Sequence, residues 1–220
     1  IEAAARACAA NYGLTADDTI LMPSTLTHST GYLYGLVLPC YTGAAVVYMP
    51  VWEAQEAVEL IERQHVRFTV CATAFLRELT ATCRARGRGL PTLRYFACGG
   101  APVPPETILA AHEALGGCLP ARIYGSTEAF TVTLGPTSVD DIARAAATDG
   151  FVANSEIAIV DDAGRKVPNG QDGELVTRGP QLFLGYANPG DNESAFDPDG
   201  YFLTGDLARV DDAGWLTITG

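Results

Sequence analysis

The sequence predicts an α/β fold, in which a parallel sheet flanked by helices is followed by a smaller β-rich subdomain. Three observations carry that reading. Helix-period and strand-period segments alternate between residues 54 and 124, the pattern of parallel strands joined by crossover helices. After about residue 150 the texture changes to strand, turn, strand, with a repeated Asp-Ala-Gly turn. The chain has 220 residues, 48% of them hydrophobic, so it can bury a core as one large domain or two small ones.

Taken in order, the longest apolar stretch, "YLYGLVLPCYTGAAVVYM" (32–49), is broken by glycines, a proline and a cysteine. It reads as buried helix and strand and not as a membrane span. Ala54, Ala57, Val58 and Ile61 keep helical spacing, Val66, Phe68 and Val70 alternate as a strand, and Phe75, Leu76 and Leu79 return to a helix. "LRYFAC" is a strand, "GGAPVPPE" a turn, "TILAAHEAL" a helix entered through prolines, and "ARIY" a strand. "SEIAIVDDAGRKVPNGQDGELVTRG" and "GDLARVDDAGWLTITG" each read as a hairpin. The polar, alanine-rich "PTSVDDIARAAATDG" sets the boundary, giving an α/β subdomain over 1–148 and a β-rich one over 149–220.

Composition excludes several function classes. A net charge of −12, from 26 acidic and 14 basic residues, argues against binding a nucleic-acid backbone. The imbalance is concentrated late, with 12 acids against 4 bases over 150–220. Six cysteines without a CxxC pair argue against a metal framework; they read as buried small apolar residues in a reducing, cytoplasmic setting. No charged leader with a cleavage site follows Ile1, so no targeting segment is visible and the chain reads as an internal piece.

The chemistry centres on "ARIYGSTEAF" (121–130). Gly125 after a strand lets the backbone approach a ligand, and Ser126 and Thr127 supply donors for phosphate oxygens. Glu128 beside them would repel a phosphate unless a cation lay between, which points to Mg²⁺ bridging carboxylate and phosphate. Standing alone, the segment reads better as a strand-to-loop turn with capping side chains. In "CGGAPVPPE", Gly99, Gly100 and Ala101 offer a flat backbone surface to a planar ring, with Tyr124 as the opposing face; alone, this is an ordinary β–α connection. In "DGYFLTGDLA", Asp206 is placed to accept both hydroxyls of a ribose, or to cap a turn.

"GGAPVPPE", "YGSTE", "GELVTRGPQLFLGY" and "DGYFLTGDLARVDDAGWLTITG" resemble, in order, the motifs of the adenylate-forming (AMP-binding) superfamily, and most of all its acyl-CoA synthetases. The resemblance covers essentially the whole chain. It implies that the parent joins a small-molecule carboxylic acid to ATP, releasing pyrophosphate, and passes the acyl group to a thiol, usually coenzyme A. By the same resemblance Gly99, Gly100 and Ala101 line the adenine of ATP or AMP, and Tyr124 stacks on it. Gly125 and Ser126 belong to the phosphate turn, Thr127 contacts the α-phosphate, Glu128 binds Mg²⁺ and Asp206 holds the ribose.

His28, in "MPSTLTHSTGYLYG", corresponds to a family position near the acyl channel, although its spacing from Pro23 is wider than usual; the alternative is a structural histidine. Tyr32, Tyr34, Leu36 and Val37 form either an apolar acyl wall or plain helix core. His65 and His112 read as structural. No acidic residue stands between Asp18 and Glu53, which disfavours an amino-acid substrate, whose buried ammonium would need a partner. Arg122 replaces the small polar group common two positions before the tyrosine, so it either points away along its strand or pairs with a nearby acid.

Two family features are absent from the 220 residues: the phosphate loop ending in Lys-Gly and the lid that carries an adenylation lysine. Thirteen of the fourteen basic residues are arginine, and the one lysine, Lys166, sits in the turn "DAGRKVPNG". The expectation is therefore a central portion of a longer ligase, inactive by itself, whose uncovered apolar face favours a homodimer. Two other readings stay open: an adenylation module that loads a carrier protein, and a degenerate, non-catalytic nucleotide-binding or interaction protein.

Overall fold

A computed structural model describes residues 1–100 and 103–220. Five parallel strands form the main sheet: β1 (Thr19–Met22), β2 (Ala45–Tyr48), β3 (Phe68–Ala72), β4 (Tyr95–Gly99) and β5 (Leu119–Arg122), in the order β2-β1-β3-β4-β5. Their side chains alternate between two cores, as the period-2 geometry of a strand requires. Ile20, Met22, Phe68, Val70, Tyr95 and Ala97 face one core; Leu21, Cys71, Phe96 and Cys98 face the other. A sheet buried on both faces accounts for the near-continuous apolar character of β1, β3 and β4.

Helices α1 (Glu2–Tyr12), α2 (Ser29–Tyr32) and α3 (Leu38–Thr42) cover the first face. A π-helical turn, Leu33–Val37, joins α2 to α3 without leaving right-handed helical geometry. The opposite face carries α4 (Ala54–Gln64), α5 (Thr73–Arg86) and α6 (Pro105–Ala114), with α7 (Ile142–Ala147) packed beside α6. The entry of α4 is fixed by Glu53, whose carboxylate accepts from the amides of Gln55 and Glu56. Among the described residues no helix is long and apolar enough to cross a membrane.

Beyond β5 a short ribbon pairs β6 (Thr133–Leu134) with β7 (Phe151–Val152). An antiparallel sheet follows, β8 (Glu156–Val160), β9 (Gly173–Arg178), β10 (Phe202–Val210) and β11 (Leu216–Ile218), in the order β11-β10-β9-β8. Its two hairpin turns are built alike. Asp161 accepts from the amides of Ala163 and Arg165, and Asp211 accepts from those of Ala213 and Trp215.

The α/β class, the helix–strand alternation over 54–124 and the two late hairpins are as the sequence predicts. Two expectations need correction. Cys40 is exposed, because its position in α3 turns it away from the sheet, whereas the other five cysteines are buried. The apolar stretch ending in β2 is only partly buried, since β2 is an edge strand whose Ala45 and Tyr48 reach solvent.

Candidate functional site

A cavity of about 640 Å³ opens at the carboxyl ends of the parallel strands. Pro23–Thr25 and His28 reach it after β1, Val70–Ala72 from β3, Gly99 and Gly100 from β4, and Ile123–Thr127 after β5. The sheet order reverses between β1 and β3, and an open α/β sheet receives its ligand in the crevice at that switch.

Backbone packing explains the glycines at the rim. A Cβ on Gly99 would stand 2.6 Å from the carbonyl oxygen of Ile123, and one on Gly125 would stand 2.4 Å from that of Phe130, so neither position admits a side chain without moving main chain. The turn at Gly125 is closed by the Ser126 amide donating to the Ala129 carbonyl (2.9 Å), while the Ser126 hydroxyl accepts from the Ala129 amide (3.1 Å). Ser126 is therefore engaged in holding the turn, and Thr127 beside it is exposed at the cavity.

Tyr124 is fixed at both ends. Its amide donates to the Thr133 hydroxyl (2.7 Å), its carbonyl accepts from the amides of Val132 and Thr133, and its phenol donates to an oxygen of Asp206. Burial, and then the neighbouring Asp206 carboxylate, push the phenol's pKa up, so it remains a hydrogen-bond donor. Asp206 reaches this position through an irregularity in β10: between the pairs Leu203–Val176 and Leu207–Glu174, three residues of β10 face one of β9. Gly205 takes the positive φ (75°) in this bulge, and Thr204 secures it, donating to the Leu175 carbonyl and accepting from the Asp206 amide.

Glu128 follows the turn and is partly exposed. Its carbonyl accepts from the Phe183 amide (2.7 Å), and its carboxylate accepts from the Tyr186 hydroxyl (3.1 Å). Among the described residues no group of three or more His, Cys, Asp or Glu side chains comes together. A single carboxylate beside exposed donors is the donor set that suits magnesium shared with substrate phosphates, and it does not suit an all-protein metal cage.

The structure thus brings Gly99, Gly100, Tyr124, Gly125, Ser126, Thr127 and His28 to one cavity and sets Asp206 against Tyr124. Ala101 lies outside the described residues. His28 caps α2, its Nδ1 accepting from the Thr30 amide (3.2 Å), and lines the cavity as well. Tyr32 is 43% exposed and is not among the lining residues; Leu33 and Tyr34 are. Tyr34, one of the residues open between acyl wall and helix core, lines the cavity, and so does Phe75, which helical spacing alone gave no site role because its direction depends on the packing of α5. Arg122 turns into the protein: it pairs with Asp149 (3.3 Å) and donates to the carbonyls of Thr148 and Val103 (both 2.8 Å). His112 is structural, bonded through Nδ1 to the Cys118 carbonyl (2.7 Å), and His65 closes α4 in a left-handed conformation. Lys166 lies over the Tyr201 ring, 5.5 Å from its centre.

A parallel sheet whose strand order reverses at an open crevice is the layout of a doubly wound α/β protein. Residues 1–187 match the family model described as AMP-binding enzyme, and the chain belongs to that family. It is 35% identical over its whole length to the medium-chain fatty-acid–CoA ligase of Escherichia coli K12, covering 39% of that protein. It is 31% identical over 94% of its length to the indoleacetate–CoA ligase of Aromatoleum aromaticum, covering 40% of it. The fold matches the N-terminal domain of FACL13 from Mycobacterium tuberculosis with a TM-score of 0.86 and 26% identity, over 99% of this chain and 54% of that one. The chain therefore spans about two fifths of the curated relatives it matches.

Proposed function

We propose that this chain supplies the nucleotide and acyl crevice of an AMP-forming acid–thiol ligase of the acyl-CoA synthetase kind, with ATP, a carboxylic acid and coenzyme A as substrates. The observation that carries this reading is the convergence of Gly99, Gly100, Tyr124 and Thr127 on one switch-point cavity, with Asp206 hydrogen-bonded to Tyr124 at its edge. The ligase names of the relatives support it.

In this reading Gly99 and Gly100 present main chain to one face of the adenine and Tyr124 stacks on the other. Ala101, outside the described residues, is assigned to the adenine by the family resemblance alone. Asp206 accepts the ribose hydroxyls, and Thr127 donates to the α-phosphate, with Gly125 and Ser126 shaping the turn that exposes it. Glu128 would hold Mg²⁺, which when bound neutralises charge on the phosphates. The substrate carboxylate attacks the α-phosphorus, pyrophosphate leaves, and an acyl-adenylate forms; the thiol then takes the acyl group and AMP departs. The chain's own contribution is positioning and fixed donors around the phosphorus, and not proton transfer. His28, Leu33, Tyr34 and Phe75 would face the acyl group, with Tyr32 outside the pocket. Residues 1–148 carry the adenine and phosphate contacts and 149–220 the ribose acceptor.

The test is acid-dependent exchange of labelled pyrophosphate into ATP by the full-length protein that carries this chain, over a panel of fatty and aromatic acids, followed by thioester formation with coenzyme A. Exchange and thioester with at least one acid are expected. Exchange with no transfer to coenzyme A points to a carrier-protein acceptor, and no exchange with any acid contradicts the ligase reading.

A further inference from the structure

The tyrosine closing "GPQLFLGY", Tyr186, has no part in the reading above, yet its hydroxyl donates to Oε1 of Glu128 at 3.1 Å. Among the described residues no other side chain hydrogen-bonds that carboxylate, and Oε2 has no protein partner. A carboxylate held at one oxygen and open at the other is oriented without being neutralised.

The two ends of this bond are built into one another. Ala129 bridges Leu182 as a short antiparallel contact, and the Phe183 amide donates to the Glu128 carbonyl (2.7 Å). Phe183 packs on Phe196 and Phe202, with ring centres 5.4 and 5.3 Å away, which ties the segment to β10. The Tyr186 ring meets Phe183 edge-on at 4.8 Å. Behind it, Asn192 clamps the main chain, its Oδ1 accepting from the Tyr186 amide (2.7 Å) and its Nδ2 donating to the Tyr186 carbonyl (3.0 Å). A clamp of this kind on an otherwise irregular loop fixes where the phenol hydroxyl stands.

We propose that Tyr186 is a positioning residue: its hydroxyl holds Oε1 of Glu128 and so keeps Oε2 available to a divalent ion shared with the nucleotide. This rests on the reading of Glu128 as the metal ligand. Without the hydroxyl, the carboxylate samples its rotamers freely, and ion binding has to order it. Because the role lies in one hydroxyl, Tyr186→Phe keeps the ring packing on Phe183 and removes only the orienting bond.

The experiment compares the wild type, Tyr186→Phe, Glu128→Gln and the double variant in the full-length protein, after melting curves establish that each is folded. Two ligands are titrated: AMP without metal, and ATP with Mn²⁺, whose bound form is also followed by electron paramagnetic resonance. Tyr186→Phe is expected to weaken Mn²⁺–ATP by about tenfold, the size of one hydrogen bond to a charged group, to change the bound Mn²⁺ spectrum, and to leave AMP unchanged. Glu128→Gln is expected to weaken Mn²⁺–ATP at least as much, and the double variant to lose little more. If Tyr186→Phe weakens both ligands equally, or leaves Mn²⁺–ATP unchanged while Glu128→Gln weakens it, the positioning role is refuted and the reading of Glu128 stands. If Glu128→Gln changes nothing, the metal-ligand reading falls and the role of Tyr186 falls with it.

Discussion

Asp206 accepts from the Tyr124 phenol, so the two side chains proposed to meet different parts of a nucleoside hold one another in place. Such preorganisation spares the ligand the entropy of ordering them. The cysteines show the same dependence on local surroundings. Burial pushes the thiols of Cys8, Cys71, Cys83, Cys98 and Cys118 above their ordinary range, which keeps them protonated and inert, while Cys40 is exposed. Titration with a thiol-reactive chromogen should therefore give one fast equivalent on the native chain and six after unfolding in denaturant. Two or more fast equivalents would show that the core opens more readily than its packing implies. The residue types of the site were legible in the sequence because glycine, hydroxyl and carboxylate have few other reasons to cluster after a strand. The exposure of Cys40 was not, because burial depends on which face of α3 meets the sheet.

One of the contacts that join the parallel sheet to the antiparallel sheet is an ion pair. Arg122, on β5, is 9% exposed, and it pairs with Asp149, which also accepts from the Ile218 amide (2.9 Å) on β11. Removing one partner of such a pair leaves a largely buried charge, so Arg122→Met should lower stability by about 3 kcal/mol in urea unfolding. Burial raises the pKa of Asp149, and Arg122 works against that rise. The folded chain thus holds this proton to higher pH than the unfolded chain, and stability declines as pH rises through the folded pKa. Without Arg122 the decline deepens, so the loss in Arg122→Met should be larger at neutral pH than below the ordinary carboxylate range. Adding Asp149→Asn, which keeps an acceptor for Ile218, should recover part of it. A loss that is independent of pH would contradict this account. Helix and strand periodicity made α4, β3, α5, β4, α6 and both hairpins readable. The partner of Arg122 was not readable, nor was Tyr186 against Glu128, 58 residues apart, since pattern within one segment carries no information on which segment it meets.

At the scale of the molecule, the order β2-β1-β3-β4-β5 gathers the ends of four strands around one crevice, while β10 sets Asp206 against the lining residue Tyr124 and the β9–β10 connection sets Tyr186 against Glu128. The α/β class followed from composition and alternation, and the motif order pointed to the family that the comparisons then established. The reversal of strand order that creates the crevice is a property of topology, and no local signal announces it. In the function proposed above, this crevice takes an adenine nucleotide with Asp206 on the ribose. Calorimetric titration with AMP of the wild type and Asp206→Ala tests it most directly. Saturable one-site binding is expected, weakened at least tenfold by the substitution, in line with loss of hydrogen bonds to a charged group. Equal affinity of the two proteins for AMP would contradict it.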